Sequence, residues 1–318
     1  MNIKNDIENI SNHLDLEKFK GKKVLLIGSG GFLGKWFSEY FDYNNIEFLK
    51  YDICDGFDIC DGIKSNTRYD FVINCAGIAS PEKYMKMPIE TLDVSYIGTK
   101  NVLEYCIENK VESVLLFSSS EVYGTPDGDS IPTKEEYIGS ISTNGDRSCY
   151  DIGKQVLETL ANVYYKKYSV PVKIVRPFNV YGPHMGLEDN RVLSNWFRNF
   201  LNNEELVVYG NGNQTRTFCY ASDAINMMLG ILLNGKNGEV YNIGNPNPEL
   251  TMNELSTFFK IVFNYDKIKL LNDYPEEYPS KEPLRRCPNI EKTERCIGIV
   301  PRVDLKSGLE KMYDFYKK

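Results

Sequence analysis

A short apolar run that stops on glycines constrains this chain more than any other feature. Residues 22–27 (KKVLLI) lead into Gly28-Ser29-Gly30-Gly31-Phe32-Leu33-Gly34, where a helical pattern opens at once. An apolar run bounded by glycine reads as a strand buried on both faces. Gly28 permits a tight strand-to-helix turn, Gly31 lets the backbone approach a pyrophosphate, and Gly34 lets the helix pack closely on the strand. The helix entered at Phe32 and Leu33 offers free N–H groups and a positive dipole end to phosphates. A dinucleotide site at the first βα junction is the expectation.

The unit repeats. Apolar runs at 46–51, 71–74, 113–117 and 172–176 alternate with helical patterns, notably 91–108 and 150–168. Alternation of this kind predicts an α/β fold, a Rossmann-type doubly wound parallel sheet, with a smaller C-terminal substrate-binding lobe. After Pro177 the chain turns richer in Gly, Pro and Asn, and runs at 217–220 and 239–243 could rejoin the sheet or start the lobe. The expected division is a helical extension at 1–20, a dinucleotide-binding domain at 21–181 joined by about 217–244, and a lobe made of 182–216 and 245–318. Ile7, Ile10, Leu14 and Leu16 suit an amphipathic helix lying on the body.

Composition narrows the chemistry. Lys plus Arg is 37 against 44 for Asp plus Glu, a net charge of −7, which argues against nucleic acid as a partner but leaves room for a basic pocket. No apolar run is long enough to span a bilayer, and the start MNIKNDIENI has no signal core. Eight scattered cysteines without a CxxC pair read as reduced thiols, and a cytoplasmic protein is expected. With two histidines, His13 and His184, a metal site is not expected and Ser-His-Asp chemistry is disfavoured.

Carboxylate, phenol and hydroxyl must then carry the proton transfers. Asp52, at the end of the second strand, suits the ribose hydroxyls and favours NAD over NADP, since it repels a 2′-phosphate. Asp58 suits the adenine, and Ile59, Ala76 and Gly77 are assigned to the same cofactor. Tyr150 and Lys154 share a helix face, where the ammonium is expected to lower the phenol pKa and make a base for a sugar hydroxyl. Ser118-Ser119-Ser120-Glu121 follows the strand 113–117 at the carboxyl edge of the sheet. Hydroxyls there can bond a reacting oxygen, and Glu121 adds a carboxylate.

In this order the elements resemble the extended short-chain dehydrogenase/reductase family of nucleotide-sugar enzymes. Ser119-Ser-Glu-Val-Tyr-Gly, Arg147-Ser-Cys-Tyr150, Arg176-Pro-Phe-Asn-Val-Tyr-Gly-Pro, Arg191-Val-Leu-Ser-Asn and the stretch 208–218 through Arg216 are most similar to UDP-glucuronate decarboxylases. The resemblance implies a lyase. NAD oxidises the sugar at C4 with Tyr150 as base and Lys154 holding it, Ser119 and Ser120 polarise the C4 oxygen, and Glu121 and Arg216 serve decarboxylation and positioning. Arg147 would face the substrate carboxylate, and Arg216 with Arg286 would clamp the diphosphate of a UDP-sugar. Asn179, Val192 and Tyr209 would complete the substrate site. A homodimer through the helices 91–108 and 150–168 is expected. The chain departs from the pattern in its short segment between Asp52 and Asp58, in Ser95 for the usual Asn, in His184 for the usual Arg, and in its N-terminal extension. The alternative readings are a 4,6-dehydratase, a 4-epimerase or keto-sugar reductase, and a non-catalytic NAD-binding scaffold.

Overall fold

Four consecutive residues, Val24 to Ile27, are almost wholly buried, which requires a strand covered on both faces. In the computed structural model, which describes residues 3–273 and 283–317, they lie in β1 (Lys23–Ile27). Five more strands join it: β2 (Glu47–Tyr51), β3 (Phe71–Asn74), β4 (Ser113–Phe117), β5 (Val172–Pro177) and β6 (Val240–Ile243). All pair in parallel, in the spatial order β6-β5-β4-β3-β1-β2. Strand alternation sends Val24 and Leu26 into one apolar core and Leu25 and Ile27 into the other. The helices Phe32–Tyr43 and Ala221–Asn234 fill the first core, and Thr99–Asn109 and Ser148–Tyr168 the second.

Between β1 and β3 the strand order reverses. A crevice at the carboxyl edge follows, the usual ligand position in open α/β sheets. The short segment after β2 forms two single-turn 3₁₀ helices, Ile53–Asp55 and Ile59–Asp61, before the chain reaches β3. Among the described residues no further strand is added there, so β2 is an edge, with Glu47 exposed and paired to Lys23 across the strands. Charge on an edge discourages pairing with another chain.

The two late runs separate. Val240–Ile243 joins the main sheet beside β5, whereas Cys219–Tyr220 pairs with Val180–Tyr181 outside it. Thr215–Arg216 is the middle of a small sheet between Leu250–Thr251 and Arg285–Arg286. Trp196 and Phe197 on the helix Val192–Leu201 pack on Phe259 of Met252–Phe263. The N-terminal helix Lys4–Ser11 docks through Ile7 and Ile10, and its buried Asp6 accepts from Tyr220 Oη at 3.0 Å and pairs with Lys311.

The helix expected over 91–108 is built from Pro88–Asp93, a wide π turn at Val94–Gly98, and Thr99–Asn109. Ser95 lies in the wide turn and donates to Thr91 O at 2.8 Å. Among the described residues no helix is long and apolar enough to cross a membrane.

Candidate active site

At the end of β1 the glycine turn does what its spacing predicts. Gly28 has φ +81°, and a Cβ there would sit 2.5 Å from Ala76 N. At Gly34 a Cβ would sit 2.1 Å from Gly28 O. Neither neighbour can yield, because both are backbone. Gly31 caps the helix that starts at Phe32, leaving its first N–H groups open. Asp52 is held across this turn: its Oδ2 accepts from Gly30 N at 2.8 Å and its Oδ1 from Cys54 N at 3.0 Å. Each carboxylate oxygen keeps a second lone pair for a ribose hydroxyl. Asp58 accepts from Cys60 N at 2.8 Å, and Asn101 donates to Ile59 O at 2.9 Å, which fixes this turn. Gly77 brings its backbone beside Lys154 Nζ. The cradle, the two carboxylates and the open helix end fit a dinucleotide.

Lys154 and Tyr150 project from the helix Ser148–Tyr168 into the same crevice. Lys154 donates to Phe117 O at 2.8 Å at the end of β4, and burial lowers its pKa to about 8. Its Nζ lies 5.7 Å from the centre of the Tyr150 ring. Tyr84 stacks on that ring at 5.1 Å and 15°. The expected lowering of the Tyr150 pKa is corrected here. Burial raises it, a hydrogen bond with Ser119 opposes the rise, and Glu121 adds to it. The protein alone therefore holds Tyr150 neutral, against Ser119.

The three serines after β4 face different ways. Ser118 donates to Glu158, which also takes a two-pronged bond from Arg176. Arg176 continues to Tyr123, and Tyr123 to Asn242, so this buried chain fixes the wall behind the site. Ser119 caps the 3₁₀ turn Ser120–Tyr123 and meets Tyr150. Ser120 and Glu121 are buried on that turn.

Glu121 is gripped by two guanidinium groups, Arg147 and Arg286. Arg286, expected with Arg216 on a diphosphate, meets Glu121 here and lies beside Arg216 in the small sheet. Asp151 adds a second carboxylate, with Oδ1 3.7 Å from Arg147 Nη2.

Beside this cluster opens a cavity of about 400 Å³. Arg147, Asn179, Val192, Tyr209 and Arg216 line it, and Arg286 does not. Asn179 adopts φ +40° and donates to Thr217 O at 2.9 Å. Arg216 is buried and donates to Thr215 O at 2.8 Å. Two further arginines line the cavity, Arg191, paired with Asp189, and Arg198, paired with Glu188. Among the described residues Glu82 is the one acidic side chain in the lining, beside four arginines, a set of side chains suited to an anion. His184, where an arginine was expected, lies outside it against Glu39 and Phe315.

A family model described as "NAD dependent epimerase/dehydratase family" matches residues 24–244. Among known proteins, UDP-glucuronic acid decarboxylase 1 of Xenopus tropicalis is 32% identical over 323 residues, covering 93% of this chain and 72% of the relative. UDP-glucuronic acid decarboxylase 6 of Arabidopsis thaliana is 35% identical, covering 91% of this chain and 78% of the relative. Among solved structures, a UDP-glucose 4-epimerase from Thermotoga maritima superimposes with a TM-score of 0.82 at 23% identity over 92% of this chain and 98% of that one. A UDP-glucuronic acid 4-epimerase from Bacillus cereus does so with a TM-score of 0.76 at 24% identity, over 92% and 98%. At such identities the structures speak to the fold. The match to the family model, which spans the glycine turn, the Ser119–Glu121 edge and the Tyr150–Lys154 pair, places this chain in the NAD dependent epimerase/dehydratase family.

Proposed function

We propose that the protein uses NAD to convert a nucleotide uronate of the UDP-glucuronate kind into the nucleotide pentose and carbon dioxide. The observation that carries this reading is the buried Arg147–Glu121–Arg286 cluster beside Tyr150, set against a cavity lined by arginine. The relatives named as UDP-glucuronic acid decarboxylases support it.

Gly28 to Gly34, Asp52, Asp58, Ile59, Ala76, Gly77 and Lys154 hold the cofactor. Bound NAD supplies a reversible two-electron acceptor. Tyr150 takes the proton of the C4 hydroxyl, with Ser119 hydrogen-bonded to its oxygen and Ser120 beside it. The resulting 4-ketone stands β to the carboxylate, so the C5–C6 bond breaks with its electrons delocalised onto O4. Ser119 and Tyr150 then stabilise that oxyanion. A proton returns to C5, and the ketone is reduced, so no net redox occurs.

Arg147, already neutralised by Glu121, can orient the substrate carboxylate without binding it so tightly that loss of its charge is opposed. Arg216, with Arg191 from the same wall, suits the diphosphate, and Asn179, Val192 and Tyr209 border the nucleotide sugar. In this reading residues 182–216 and 245–318 form the substrate lobe over a cofactor domain made of 21–181 and 217–244.

Incubation with UDP-glucuronate and NAD should release carbon dioxide and a nucleotide about 44 mass units lighter, the mass lost in cleaving the C5–C6 bond, detected by mass spectrometry. A product lighter by one water from a nucleotide hexose would instead establish the dehydratase.

We further propose a homodimer. Ile89, Leu92 and Tyr96 on one helical run, and Val163 and Tyr168 on Ser148–Tyr168, are exposed apolar residues on the faces that would pair. Light scattering should give twice the chain mass, falling to one chain in Tyr96→Glu/Val163→Glu. A wild-type protein that is monomeric at micromolar concentration rejects the dimer.

A further inference from the structure

Asp151 is a member of the buried cluster to which the mechanism above gives no work. Its side chain is 14% exposed, and its Oδ1 is buried without a hydrogen-bond partner, 3.7 Å from Arg147 Nη2. A buried carboxylate oxygen left so is costly and calls for an explanation. The charges around it supply one. From its own helix it faces Arg147, with Cys149 and Tyr150 adjoining. From the turn after β4 it faces Glu121, from the strand Arg285–Arg286 it faces Arg286, and from the helix Pro81–Lys86 the Tyr84 phenol feels its charge.

Glu121 and Asp151 both face the guanidinium groups of Arg147 and Arg286. Arg147 also reaches the cavity wall, which Glu121, Asp151 and Arg286 do not line. An anionic group entering at Arg147 therefore competes with the charge on Asp151 for the same guanidinium.

We propose that Asp151 is the specificity-determining residue that couples recognition of a substrate carboxylate to uptake of a proton by the protein. Resting on the nucleotide-uronate reading, this adds how the site tells a uronate from a neutral hexose. The uronate replaces the charge of Asp151 at Arg147, whereas a hexose, with only its distant diphosphate charged, leaves Asp151 as it was. Burial and the charge of Glu121 push the Asp151 carboxyl up to about 7, so the exchange falls in the neutral range. A further anion nearby raises it again. Uronate affinity is then flat below that pH and falls by up to about tenfold per pH unit above it, until the carboxyl of the complex also ionises.

The test is calorimetric binding to the NAD-loaded Tyr150→Phe protein, in which turnover is blocked. Titrations run between about pH 6 and 8 in pairs of buffers of different ionisation enthalpy, so that bound protons are counted. UDP-glucuronate should take up a fraction of a proton that peaks near neutral pH, and UDP-glucose should take up none. Adding Asp151→Asn should abolish the uptake and make uronate affinity independent of pH. Uronate binding with no more proton uptake than the hexose, or uptake that survives Asp151→Asn, overturns the role of Asp151 and leaves the substrate reading standing. Failure of the uronate to bind where the hexose binds overturns both. The proton count in the Tyr150→Phe protein alone decides the matter if Asp151→Asn does not fold.

Discussion

Tyr150→Phe lowers turnover by about 10²–10⁴-fold, the span expected when a positioned general base is removed, and leaves KM nearly unchanged. The second half of that expectation comes from the geometry. Most contacts in the proposed substrate site come from Arg147, Asn179, Arg216 and their neighbours in the cavity wall, and Tyr150 adds a single hydroxyl at its edge. Ring stacking on Tyr84 survives the substitution, so the helix start stays in place. What is lost is one oxygen, hydrogen-bonded to Ser119 in the resting protein. Because the two groups act on the same proton, Ser119→Ala added to Tyr150→Phe should cost far less than it costs alone. Burial raises the Tyr150 pKa, so the base form gains population as pH rises. Wild-type turnover should climb with pH, and the variant's residual turnover should lack that climb. Steady-state kinetics on the two single variants and the double variant check all three points. Wild-type turnover in Tyr150→Phe would remove Tyr150 from the chemistry.

Features set by neighbours in sequence were legible, and those set by neighbours in space were not. The glycine turn is local, because its constraint is that Gly34 and Gly28 stand one turn apart with no room for a Cβ between backbones. Tyr150 and Lys154 are local as well, one helical turn apart. The pKa of Tyr150 is not local: the sequence displays the nearby ammonium, while the burial that overrides it is produced by Tyr84 and the sheet edge. The pairing of Arg286 with Glu121 was hidden for the same reason. A guanidinium suits a phosphate or a carboxylate equally well, and its partner Glu121 lies 165 residues away. Tyr84, in the stretch PEKYMK, and Asp151, which reads as an ordinary acid in a first helical turn, carried no signal that separated them from surface residues. Arg191 and Arg198 enter the site only because the helix Val192–Leu201 turns against the cavity. The sheet order was foreseeable from alternation. The absence of another strand beyond β2 shows only in the brevity of the segment between Asp52 and Asp58.

Substitution of Glu121 should reverse the sign of what happens at Asp151. In the wild type Asp151 is raised from an ordinary 3.8 to about 7, first by burial and then by the charge of Glu121. The folded state therefore binds more protons than the unfolded state between those values. Stability contributed by this site falls as pH rises from about 4 to 7 and is flat above, where both states are ionised. Asp151→Asn removes that cost and should stabilise the wild-type background at about pH 8 by up to a few kcal/mol. Glu121→Gln takes away the carboxylate that holds Arg147 and Arg286, and breaking a buried pair in this way costs about 3–5 kcal/mol. Part of that loss is recovered, because without Glu121 the Asp151 carboxyl ionises more readily and becomes the counter-ion of both guanidinium groups. In the Glu121→Gln background Asp151→Asn should then destabilise, because it removes a second carboxylate that faces both guanidinium groups. Urea denaturation of the wild type, both single variants and the double variant, at about pH 8, completes the cycle and isolates the coupling between neighbours that additivity would miss. If Asp151→Asn shifts the midpoint in the same direction in both backgrounds, the two carboxylates do not share the arginines, and the charge balance drawn for the cluster is wrong.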